Sequence, residues 1–102
     1  MVNFYCAMAY PGSPLYLSSK ISGKNLPNNY SEFSQHAFET LNLSNDNLTS
    51  AEILKFRDNA WNKYHNNSKY IDLLKSKFGK NCLDDLNQTK SIKLKRKLLG
   101  DQ

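Results

Sequence analysis

A chain of 102 residues, 39% of them hydrophobic, makes one domain at most, with a modest core and much wet surface. Its formal charge is +5, unevenly spread: residues 1–50 hold two bases against three acids, residues 51–102 twelve bases against six acids. No run approaches the ~20 apolar residues of a membrane span, and the N-terminus lacks the basic start and long apolar core of a signal peptide; the chain reads as soluble and cytoplasmic.

Val2 to Ala9 (VNFYCAMA) is short, aromatic and apolar, and Tyr10-Pro11-Gly12 bounds it. These features predict a strand buried on both faces. No second strand is legible in the chain, although a strand's donors and acceptors need partners. Ser13-Pro14 is an N-cap followed by proline at the first helical position, which predicts a short helix over Pro14 to Ser22 stopped by Gly23. Lys24 to Thr40 has no period but carries Tyr30, Phe33 and Phe38, so an ordered, wrapping loop is expected.

Helical signals dominate after Leu48. Thr49 and Glu52 have the spacing of a capping box, and Ile53, Phe56, Ala60, Trp61 and Tyr64 follow at steps of three and four, the pattern of a core face. His65-Asn66-Asn67 ends that helix, with His65 in a structural role at its C-terminus. Ser68 is expected to cap a second helix carrying Ile71, Leu74 and Phe78, which Gly79 stops. A third begins near Asn81 with Leu83 and Leu86 and thins into the basic tail, where Lys90 to Lys97 holds five bases and no acid.

No Ser/His/Asp set, Gly-rich phosphate loop, paired acids or metal-ligand spacing is present, so no catalytic or metal-binding residue is assigned. Cys6 and Cys82 are too few and too distant for a disulfide framework or a metal centre and read as structural thiols. The tail reads as a solvated helix end whose leucines dock partially on an apolar surface.

Several segments in order, NFYCAMAYPGSPLY (Asn3–Tyr16), YSEFSQHAFET (Tyr30–Thr40), LTSAEILKFRDNAW (Leu48–Trp61), KYIDLLKSKFG (Lys69–Gly79) and KSIKLKRKLLG (Lys90–Gly100), resemble the C-terminal part of certain radical S-adenosylmethionine proteins. The group is the cobalamin-binding one that includes anaerobic magnesium-protoporphyrin monomethyl ester cyclase-like Fe–S oxidoreductases. The resemblance implies a preceding cobalamin-type domain and a partial β/α barrel. A CxxxCxxC motif there would hold a [4Fe–4S] cluster that binds S-adenosylmethionine. None of that motif lies in this chain, so the resemblance implies a catalytically inert piece that shapes the substrate pocket.

On this reading residues 1–47 are the end of the barrel and residues 48–102 a C-terminal helical extension. The expected fold is mainly α, a small domain of about four helices with a short N-terminal strand or extended segment. Barrel sites open at the C-terminal ends of strands, which makes Tyr10, Pro11, Gly12 and Ser13 candidates for the pocket mouth. Gln35 and His36 are carried over from the matching SQH segment. The expected partner is the remainder of the parent enzyme, or a second copy pairing through residues 2–9. The alternative is a stand-alone helical binding module whose basic tail contacts nucleic acid or another anionic partner.

Overall fold

Helices begin where a side chain can satisfy the first free N–H groups. In the computed structural model, which describes residues 1–102, Ser13 caps α1 (Pro14–Ile21) by accepting from the Tyr16 N–H. At α2 (Ser50–His65) the Thr49 Oγ1 accepts from the Glu52 N–H at 3.1 Å while Glu52 Oε1 accepts from the Thr49 N–H at 3.2 Å, a reciprocal capping box. α3 (Ser68–Lys90) starts one residue earlier than its expected cap implies. Asn67, not Ser68, is its N-cap, accepting from the Lys69 and Tyr70 N–H groups. Gly79, at φ 81° and ψ −175°, breaks α3 into two helices in series, so the mainly α architecture has four helical segments. Short 3-10 turns at Tyr30–Phe33 and Lys97–Leu99 complete the order. No helix is long and apolar enough to cross a membrane.

The chain forms two compact units. The first comprises Met1–Phe4 with Asp58–Lys93, the second Tyr5–Arg57 with Leu94–Gln102. The dividing line therefore falls inside α2, whereas the break read from the sequence lies near residue 47, where loop composition gives way to helical pattern.

Residues 2–9 form no β-ladder. They carry no regular structure, with Cys6 and Met8 buried, Val2 and Phe4 half-buried, and Asn3, Tyr5 and Ala7 exposed. The two-sided burial expected of a central strand is thus replaced by alternation over residues 2–8, which ends at Ala9, buried beside Met8. Side chains and loops supply what neighbouring strands would. The Val2 N–H donates to His65 Nε2 (3.2 Å), the Cys6 N–H to Gln35 Oε1 (3.1 Å), and Gln35 Nε2 to the Cys6 carbonyl (3.0 Å). The Leu43 N–H donates to the Ala7 carbonyl at 3.0 Å.

In the first unit the aromatic residues gather on His65, which is fully buried. Its ring stacks on Trp61 at 4.1 Å between centroids and meets Tyr64 and Tyr70 edge-on at 5.3 and 5.5 Å. Phe4 meets Tyr64 at 5.9 Å. Because a carbonyl only accepts, His65 Nδ1 carries the proton and donates to the Trp61 carbonyl at 2.7 Å, leaving Nε2 to accept from Val2. Burial pushes the Tyr70 hydroxyl above its usual value of 10.0, and the neighbouring Tyr64 and then Cys82 add to the shift.

The phase of α2 differs from the expected one. Phe56, placed on the core face by its hydrophobicity, is 74% exposed. The buried line is instead Leu54, Arg57 and His65, which lie together around the helix, with Phe56 roughly opposite. α1 is also turned: it buries Ser19 and exposes Leu17 and Ile21. Phe78 is exposed too, while Leu74 and Leu86 carry the buried side of α3.

In the second unit, the loop after α1 is ordered by its own polar groups. Lys24 Nζ donates to the Ser44 carbonyl at 2.8 Å, the Leu41 N–H to the Glu32 carbonyl at 2.8 Å, and Asn42 Nδ2 to the Ser50 carbonyl at 3.1 Å. The loop's aromatics divide: Phe33 is half-buried beside Tyr10 at 6.1 Å, whereas Tyr30 is almost wholly exposed.

Candidate functional site

The second unit holds an open hollow of about 480 Å³ lined by Tyr5, Cys6, Tyr10, Gln35 and His36. Two causes bring these residues together. Alternation in the extended segment turns Tyr5 outward beside the buried Cys6, and the two-point bond from Gln35 to the Cys6 backbone fixes the loop against it. His36, next in sequence, then meets the Tyr5 ring edge-on at 6.3 Å. Arg57, buried on α2, directs its guanidinium to His36 Nε2 at 3.4 Å. A guanidinium only donates, so this contact fits His36 with Nε2 free to accept and the proton on Nδ1.

The candidates from sequence separate into two groups. Tyr10, Gln35 and His36 share the hollow. Pro11, Gly12 and Ser13 do not line it; they form the turn into α1. Ser13 spends its hydroxyl on that turn, donating to the Tyr10 carbonyl at 2.7 Å and accepting from the Tyr16 N–H at 3.1 Å. Pro14 has no N–H, and the Leu17 N–H bonds the Ser13 carbonyl, so the first turn of α1 keeps little to offer an anion. Gln35 lines the hollow with both ends of its amide bonded to the Cys6 backbone. Tyr5, Cys6 and Arg57 were not among the candidates. The signal for Arg57 is its register with Leu54 and Trp61 on α2; for Tyr5 it is the odd-numbered side of residues 2–9.

The chemistry available is that of a binding surface: two tyrosine faces and an imidazole around an amide-held backbone. No three His, Cys, Asp or Glu side chains come together as a metal site. Neither cysteine forms a disulfide, and they lie in different units, Cys6 in the second and Cys82 in the first. A [4Fe–4S] cluster needs closely spaced thiolates, so these residues do not fit one.

Replacing Gln35 tests the wall directly. Gln35→Leu keeps the bulk and removes both bonds to Cys6, at an expected cost of about 1–2 kcal/mol. Urea denaturation should show a lower midpoint with unchanged slope; a midpoint equal to the native protein's would mean that water replaces the amide without loss.

The class defined by this fold is a small, mainly α protein with an open hollow lined by aromatic and polar side chains. No family model matches the chain, and comparison with curated proteins and with solved structures finds no match either.

Proposed function

We propose that this chain is a non-catalytic, pocket-shaping C-terminal part of a radical S-adenosylmethionine Fe–S oxidoreductase of the cobalamin-binding group. The observation that supports this most is that Tyr10, Gln35 and His36, separated by some 25 residues of loop and helix, line one hollow. Its walls are aromatic and its polar groups are arranged to hold shape, as a substrate wall requires. The exposed Leu17 and Ile21 of α1 and Phe56 of α2 are apolar surface of the kind that a larger protein would cover. On this reading the cluster, S-adenosylmethionine and any cobalamin belong to the rest of the enzyme, which supplies the radical chemistry. Tyr5, Tyr10 and His36 orient the substrate and keep water from it. The partner is that remainder rather than a second copy pairing through residues 2–9, because Gln35 and Leu43 already occupy the polar groups of Cys6 and Ala7.

Two readouts test the proposal. The coding sequence before Met1, or the adjacent gene, is expected to encode CxxxCxxC. With that polypeptide reconstituted anaerobically, Tyr10→Ala and His36→Ala in this chain should leave cleavage of S-adenosylmethionine to 5′-deoxyadenosine intact. Substrate consumption should slow about tenfold, the equivalent of roughly 1.4 kcal/mol. A locus without the motif, or turnover indifferent to this chain, overturns the proposal.

A further inference from the structure

The basic tail is not a fraying helix. α3 ends at Lys90, residues 92–96 carry no regular structure, and the Arg96 backbone is extended at φ −128° and ψ 117°. Burial alternates along this strap. Leu94 and Leu98 are half-buried and Arg96 is fully buried, while Lys93, Lys95 and Lys97 are exposed. Arg96 anchors it: Nη1 donates to the carbonyls of Gln35 (2.8 Å) and Ala37 (3.2 Å), and the next N–H, of Lys97, donates to the Phe38 carbonyl at 2.9 Å. Asp101, the first acid after the basic run, turns its carboxylate onto the Arg96 N–H at 2.8 Å.

We propose that this strap, through Lys95 and Lys97 and with Phe38, whose carbonyl accepts from the Lys97 N–H, binds the phosphate backbone of single-stranded nucleic acid. Alternate residues of an extended chain stand about 6.6 Å apart. That is about twice the ~3.4 Å phosphate rise of one stacked strand, a spacing that a strand reaches when its bases separate. Phe38 is 37% exposed and offers an unstacked base a ring face. Leu94 and Leu98 are half-buried whereas Ile92 and Phe38 are exposed, so a lipid surface is the competing occupant that the vesicle arm of the test separates from a single strand. A single row of lysines on an anchored strap, with no helix to enter a groove, disfavours the duplex. The exposed Glu39, next to Phe38, and Asp101, whose carboxylate accepts from the Arg96 N–H, are the local acids that oppose binding. This inference is independent of the pocket reading above.

The test is fluorescence anisotropy of a short labelled oligouridylate with the full chain in about 25–200 mM KCl. Binding is expected to weaken with a log–log salt slope of about 1.4, from two phosphate contacts at ~0.7 each. The double variant K95Q/K97Q changes only exposed side chains and should keep the native melting curve while losing at least about tenfold in affinity. Phe38→Leu should weaken binding with little change in salt slope, and Glu39→Gln should strengthen it. Absence of binding at the lowest salt, unchanged binding by the double variant, or binding to a duplex or to phosphatidylserine vesicles as tight as to the single strand overturns the proposal.

Discussion

Arg96→Ala is expected to cost about 3 kcal/mol or more, a large share of the 5–15 kcal/mol or so that holds a domain together. Three losses combine. A fully buried side chain leaves a cavity, the carbonyls of Gln35 and Ala37 lose their charged donor, and the strap loses its only inward cation. Arg96→Met separates these effects, since it restores much of the packing but none of the hydrogen bonds. Both variants should release the tail, and limited trypsinolysis should cut after Lys93, Lys95 and Lys97 faster than in the native protein. Unchanged cleavage together with an unchanged urea midpoint would show that Arg96 anchors nothing. Because Gln35 also forms the wall of the hollow, release of the tail is expected to loosen that wall.

The second large effect is at His65. His65→Ala removes the ring stacked on Trp61, the extra donor to the Trp61 carbonyl and the acceptor of the Val2 N–H, an expected loss of about 2–4 kcal/mol. His65→Phe keeps a ring without nitrogens and should lose the smaller, hydrogen-bonding part. The specific readout is amide exchange at Val2, which should be slow in the native protein and fast in both variants. Protection retained in His65→Phe would show that burial, not the imidazole, shields that amide.

These two residues also mark what is legible in the sequence. Helix starts are local chemistry: Ser13, Thr49 and Glu52 act on N–H groups within three residues, and each does so as its spacing predicts. Gly79 is equally local, because only its backbone freedom is needed to end a helix there. The phase of α2 is another matter. Hydrophobicity alone turns Phe56 inward, whereas Arg57 and His65 lie inside because partners 21 and 63 residues away satisfy them. The tail misleads for the same reason. Five bases in eight residues suggest solvent, yet one is buried by carbonyls some 60 residues earlier. Of the candidate site, Gln35 and His36 are adjacent in sequence, and Tyr10 joins them through the long-range bond from Gln35 to Cys6.

That bond has a consequence for how the N-terminal segment chooses its faces. In a sheet, register is set many times over, once for every rung of the ladder. Here Gln35 sets it at Cys6, and Leu43 supports it one residue later. A slip of one residue would exchange the two sides of the segment, turning Tyr5 inward and Cys6 to solvent. The Gln35 carboxamide, seconded by the Leu43 N–H, thus acts as the index mark for which side chains of residues 5–8 meet the core and which remain for a visitor.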